Sequence, residues 1–142
     1  MAEPAQLIEH PPSVTLVVTD ADRLVVVRQH RPGAAAEVLE FPAGTLEPDE
    51  TVEEAADREL AEECGLAVEG WTEIGSFWAA PAYSNEHVTV LAGACSGVAH
   101  AEPDPDEHIT VERLAPAEAQ GRLEDAVSLA ALALWQAWSA GS

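Results

Sequence analysis

The sequence predicts an α+β fold in which a mixed β-sheet carries helices on both faces. Three observations lead there. Short runs rich in β-branched residues recur along the chain, and only two long segments have helical character. In addition, 47% apolar residues over 142 positions can build one real core but leave little room for a second. No internal repeat and no linker divides the chain, so residues 13–142 read as one domain behind a flexible arm, residues 1–12.

The arm ends at the Pro11–Pro12 pair. "SVTLVV" and "RLVVVRQ" flank the turn-like "TDAD", which predicts a hairpin. "PGAAAE" reads as a loop, and "VLEFPAG" as a short strand stopped at Pro42. Thr51 is placed to cap a helix, with Glu54 three residues on completing a capping box and Gly65 ending it. "LAVEGWTEIGSFWAA" and "HVTVLAGACSG" predict two further strands. "AHAEPDPDEH" is an acidic, proline-interrupted loop, followed by the strand "ITVERL". "PAEAQG" predicts a small helix, and Glu124 to Ala140 a long apolar one.

Charge excludes several functions. There are 26 acids against 6 bases, all of them arginine, for a net charge of −20. Such a surface repels nucleic-acid backbones and anionic membranes. The stretch Ala126 to Trp138 is shorter than the roughly 20 residues that a bilayer needs. Cys64 and Cys95 lack metal-ligand spacing and read as ordinary thiols. The first residues lack the basic start and apolar run of a secretion signal. A soluble cytoplasmic protein is expected, with no nucleic-acid or membrane partner.

The segment Ala43 to Leu66 concentrates nine carboxylates against one base, Arg58. Helical residues advance about 100° each, so Glu59 and Glu63 lie one turn apart on the side of Val52 and Ala56, facing the sheet. Carboxylates looking inward are costly unless a cation meets them. Arg58 points elsewhere, toward Glu62 at i+4. A hard divalent cation such as Mg²⁺ is the economical partner. Glu53, Glu54 and Asp57 fall on the outer, solvated face.

The wider frame is Gly44, five residues, Glu50, seven residues, then Arg58-Glu59-Leu60-Ala61-Glu62-Glu63-Cys64-Gly65-Leu66. This resembles the Nudix hydrolases, with every specified motif position filled. The resemblance implies a Nudix α/β/α sandwich, a loop–helix–loop that binds Mg²⁺ or Mn²⁺, and hydrolysis within the diphosphate of a nucleoside diphosphate derivative. It implies Glu59 and Glu63 as principal metal ligands, Glu62 as a third and the Ala43 carbonyl as another. Arg58 and Glu50 would form a supporting ion pair, and Gly44 would permit a close backbone turn. Metal ions would reconcile an acidic protein with an anionic substrate.

Outside the motif, "VVVRQHRP", "VLEFPAG" and Pro81, 16 residues past Gly65, resemble the ADP-ribose pyrophosphatase branch. The final "EDAVSLAALALWQ" is similar as well, whereas Ala82 replaces a usual glycine and few residues precede the first strand. By this likeness Arg31 would contact phosphate. Glu40 would bind substrate or merely occupy a strand, and Pro81 and Tyr83 would line the nucleoside pocket. Glu107 is the first choice for catalytic base, with Glu102, Asp104 and Asp106 as rivals. His30, His87 and His108 show no pairing pattern. Trp135 and Trp138 suit either a homodimer interface or the protomer's own core. ADP-ribose or a related nucleoside diphosphate sugar is the expected substrate. The alternatives are hydrolysis of a nucleoside triphosphate or dinucleoside polyphosphate, and a non-catalytic nucleotide sensor.

Overall fold

A computed structural model describes residues 6–141. Strands β1 (Ser13–Asp20) and β2 (Arg23–Arg31) form the expected hairpin, pairing Thr19 with Leu24 and Asp20 with Arg23 across a two-residue turn. β3 (Ala36–Glu40) runs antiparallel to β2. β4 (Ala43–Thr45) pairs instead with the start of β1. Helix α1 (Val52–Cys64) follows, then β5 (Leu66–Val68), β6 (Thr72–Trp78) and the long β7 (His87–Val98). β8 (Ile109–Leu114), α2 (Pro116–Arg122) and α3 (Ala126–Ala140) complete the chain.

The sheet is mixed because β7 lies parallel to β1 from Val88 to Ala94, whereas its other edge holds β6 and β5 antiparallel. β8 covers the remaining edge of β2. Alternation along the central strands divides the core in two. Val14, Leu16 and Val18 of β1 and Val25 of β2 pack with Ala55, Ala56 and Leu60 of α1. Val17, Leu24 and Val26 point the other way, to Ala119, Leu123, Ala131 and Leu132 beside α2 and α3. Helices therefore cover both faces, which is the expected sandwich.

Four element boundaries differ from expectation. "VLEFPAG" is two strands, because Pro42 has no N–H for a ladder and the chain changes partner there, from β2 to β1. β3 also begins two residues inside the expected loop. "LAVEGWTEIGSFWAA" is likewise two strands: the pairing to β7 breaks between Val68 and Thr72, around Gly70. The last helix starts at Ala126, since Asp125 caps it by accepting the Ser128 N–H at 3.0 Å.

Residues 1–5 of the expected arm lie outside the described residues. In the remainder, Ile8 bridges to Ser84, and the His10 N–H donates to Asn85 Oδ1 at 2.8 Å. Cys64 and Cys95 are free thiols. Trp135 is half-buried against the α3-side core, whereas Trp138 is 39% exposed. Among the described residues, no helix is long and apolar enough to cross a membrane.

Candidate active site

Helix α1 is fixed at both ends by the residues the sequence singled out. Thr51 Oγ1 accepts the Glu54 N–H and Glu54 Oε1 accepts the Thr51 N–H, both at 3.1 Å. Gly65 adopts a left-handed φ of 67° and returns its N–H to Ala61 O at 3.0 Å. Between the caps, Ala55, Ala56 and Leu60 anchor the helix on the sheet. Glu59 and Glu63 are thereby carried to the end of the molecule where β4 leaves β1.

There they meet a cavity of about 370 Å³. Ser13 and Thr15 of β1, Gln29 and Arg31 of β2, and Glu40 of β3 form part of its wall. Ala43 and Gly44 of β4 face Glu59 and Glu63 in the same space. Glu107 enters from the loop before β8, and Asp125 and Ser128 from the start of α3. Gly44 has a spatial reason: a Cβ there would overlap the Glu59 carboxyl group. The helix carboxylate and the β4 backbone can approach only because that side chain is missing.

Arg58 anchors the entrance to α1. Its Nε donates to Glu50 Oε2 at 2.8 Å and its Nη2 to Glu50 Oε1 at 2.9 Å and Thr45 O at 3.0 Å. Glu50 Oε1 also accepts the Glu47 N–H. The Arg58 guanidinium, first of all, holds the Glu50 carboxyl at a pKa of about 2. The expectation that Arg58 turns away from the inward pair needs correcting, because its Nη1 reaches Glu59 Oε1 at 2.8 Å as well as Glu62 Oε2 at 3.4 Å. Neighbours at i and i+1 do not face each other on a helix, yet an arginine side chain is long enough to curl back.

Glu63 has no such partner. Burial, chiefly, and the adjacent Glu59 push its carboxyl up to about 9, against a long contact from the Ala43 N–H at 3.4 Å and the weaker pull of Arg31. Burial raises Glu59 too, outweighing the opposing pull of Arg58. Glu107 is raised by burial and by Asp104, and its charge is felt at both Glu59 and Glu63. The cavity thus gathers carboxylates whose charged forms are short of cations.

Other expected residues fall elsewhere. Glu62 does not line the cavity; its side chain is 34% exposed and paired with Arg58. Glu102, Asp104 and Asp106 stand outside the lining, and Asp104 Oδ1 instead accepts the Asp106 N–H. Pro81 and Tyr83 are exposed in the turn before β7 and are not among the lining residues. His87 packs edge-on against Trp78, with ring centroids 4.8 Å apart. Asp57, expected to be merely solvated, accepts the Trp71 indole N–H at 2.8 Å.

Sequence reasoning did not single out His10, Glu86 or Asp125, all of which line the cavity. Glu86 Oε2 accepts the Ser13 hydroxyl at 2.8 Å and lies 3.8 Å from His10 Nδ1. Asp125 spends one oxygen on its helix cap, and its enclosed Oδ1 has no partner. The N-cap reading of Asp125 was available locally. Its arrival beside Arg31 depends on the packing of α3.

The donor chemistry fits a hard divalent cation. Glu59 and Glu63 offer carboxylate oxygens, and Gly44 clears space beside the Ala43 peptide. Among the described residues, no three Asp, Glu, His or Cys side chains converge closely enough to form a ready-made cage.

Known proteins resemble the chain over most of its length. A family model described as "NUDIX domain" matches residues 9–135. The chain is 33% identical over 129 residues to the ADP-ribose pyrophosphatase of Bacillus subtilis (strain 168), covering 90% of this chain and 67% of that protein. It is 29% identical over 134 residues to ADP compounds hydrolase NudE of Escherichia coli (strain K12), covering 91% and 72%. A crystal structure of an ADP compounds hydrolase superposes with a TM-score of 0.86 at 26% identity, over 92% of this chain and 73% of the other. Among curated relatives, the chain spans from 60% to 72% of their lengths.

Proposed function

This chain belongs to the NUDIX domain family, and from that premise we propose that it hydrolyses the diphosphate linkage of ADP-ribose or a related nucleoside diphosphate sugar. The observation that carries the reading is the half-buried Glu59–Glu63 pair in one cavity with Arg31 and Glu107. The names of the relatives, ADP-ribose pyrophosphatase and ADP compounds hydrolase, support the substrate class.

Glu59 and Glu63, with the Ala43 carbonyl, would hold Mg²⁺ or Mn²⁺. Glu62, outside the cavity lining and paired with Arg58, would join them as a third ligand only by leaving that pair. The bound cation supplies positive charge that neutralises the diphosphate and acidifies a water. Arg58, locked by Glu50, keeps Glu59 oriented. Arg31 binds a phosphate oxygen. Glu107 takes the proton of the attacking water; of the four acids in its loop, it alone lines the cavity. Attack on one phosphorus breaks the P–O–P bridge, and ADP-ribose yields AMP and ribose 5-phosphate. Pro81 and Tyr83 would meet the nucleoside only if the substrate extends beyond the cavity. We place the protein in the cytoplasm, without nucleic-acid or membrane partners, and Trp138 on a candidate homodimer surface.

The test is chromatographic. With Mg²⁺, ADP-ribose should give AMP faster than dinucleotides or nucleoside triphosphates give their products. Faster release of pyrophosphate or phosphate from a triphosphate would replace this reading with the triphosphatase one. Ligand-raised melting without turnover, in Mg²⁺ or Mn²⁺, would make the protein a non-catalytic sensor.

A further inference from the structure

Arg31 is the one arginine lining the cavity among the described residues, and the chain has no lysine. It sits among the carboxylates of Glu40, Glu59, Glu63, Glu86, Glu107 and Asp125. An anionic substrate therefore meets a single guanidinium, and the direction in which that group points decides whether it helps. Arginine has much rotamer freedom to lose, so direction must be imposed.

The strand register shows how it is imposed. Arg31 stands opposite Ala36, whereas Glu40 stands opposite Val27. Period-two alternation puts Arg31, Gln29 and Glu40 on the same face of the β2–β3 ladder. To meet Glu40, the Arg31 side chain must lie back along β2. It does so: Nε donates to Glu40 Oε2 at 2.7 Å and Nη2 to Glu40 Oε1 at 3.0 Å. This two-point grip uses the Nε edge and leaves the Nη1 hydrogens for another acceptor. Arg31 remains 47% exposed, whereas Glu40 is only 12% exposed.

A second carboxylate competes for the same group. Asp125 lines the cavity and has an enclosed Oδ1 with no hydrogen-bond partner. An enclosed acceptor without a donor is unfavourable, so a guanidinium that came within reach would be drawn to it. Asp125, like Glu63, is close enough for its charge to act on Arg31, but only Asp125 has an enclosed oxygen left without a donor.

We propose that Glu40 is a positioning residue that grips Arg31 by its Nε edge, keeps it from capture by Asp125, and presents Nη1 to the diphosphate. This rests on the functional reading above and refines it, because Glu40 acts through Arg31 and does not itself touch substrate.

The test is steady-state kinetics with ADP-ribose on the wild type, Glu40→Gln, Arg31→Ala and the double variant, with melting curves for each. Glu40→Gln should raise KM about tenfold or more, the size of a lost charged hydrogen bond, with a much smaller change in kcat. In the Arg31→Ala background it should add nothing to KM. Adding Asp125→Asn, which preserves the helix cap, should recover most of the KM lost by Glu40→Gln. A KM unchanged or lowered by Glu40→Gln would overturn the inference, as would an equal increase in the Arg31→Ala background or no recovery with Asp125→Asn. A wild type that cleaves no nucleoside diphosphate sugar would remove the functional reading and this inference together. An active wild type beside a kinetically normal Glu40→Gln removes this inference alone.

Discussion

Glu50 and Glu63 belong to the same acidic segment, yet their surroundings drive them in opposite directions. Glu50 accepts two hydrogen bonds from Arg58 and one from the Glu47 amide, and its carboxyl sits at about 2. Glu63, desolvated and with Glu59 beside it, has no hydrogen-bonded cation, only the weaker pull of Arg31 across the cavity, and is pushed up to about 9. The first carboxylate is satisfied by the chain itself and braces the turn into α1. The second lacks a hydrogen-bonded cation, which is how the proposed site for an external cation differs from a structural ion pair.

The largest effect should come from breaking the incomplete side. Glu63→Gln keeps the volume but removes a carboxylate from the proposed cation site, and kcat should fall about a thousandfold, on the order of 4 kcal/mol of barrier. If the carboxylate is there for a cation and not for the fold, the same variant should melt higher than the wild type in chelator at pH 8. Stopped or continuous release of AMP gives the first quantity, and thermal unfolding the second. An inactive variant that also melts lower would mean that Glu63 supports the fold, and the contrast with Glu50 would collapse.

The pH dependence sharpens the comparison because the two shifts have opposite signs. Glu63 binds its proton more tightly folded than unfolded. In chelator, its contribution to stability should therefore fall as pH rises from about 4.5, its ordinary value, toward about 9. Glu50 releases its proton more easily when folded, so its contribution is complete above about 4.5 and is lost as pH falls toward about 2. Glu63→Gln should flatten only the alkaline limb. Glu50→Gln should flatten only the acid limb, at a cost of about 1–3 kcal/mol near neutrality. Denaturant unfolding at a series of pH values reads both, and a Glu50 variant that alters the alkaline limb would show that the two groups are not separable.

Much of this contrast was legible in the sequence because it is local. Thr51, Glu54 and Gly65 are chain neighbours of the helix they bound, and i, i+4 spacing alone places Glu59 with Glu63. The NUDIX pattern is contiguous for the same reason. What was hidden depends on distant packing. Ser13 of β1 pairs with Val88 of β7 only in the folded sheet, and that pairing brings Glu86 beside Ser13 at the cavity. Asp125 was readable as a cap but not as a neighbour of Arg31. The division of residues 66–80 into two strands was missed because the apolar pattern runs through Gly70 without marking where the β7 pairing breaks.

Asp57 supplies the weakest and cleanest control. It lies on α1 between Glu50 and Glu63 in sequence, but on the exposed face, where its Oδ1 accepts the Trp71 indole N–H at 2.8 Å. Trp71 in turn packs against the core under α1. Asp57→Ala should therefore cost about 0.5–1.5 kcal/mol, the usual net value of one hydrogen bond, and leave kcat and the cation requirement unchanged. Urea unfolding and the AMP assay measure these together. A kcat loss approaching that of Glu63→Gln would mean that negative charge anywhere on α1 promotes the reaction. If activity is untouched, the effect depends on which face of the helix carries the carboxylate, and the crowd of acids divides into a few that meet the cation and others that only hold or solvate the helix.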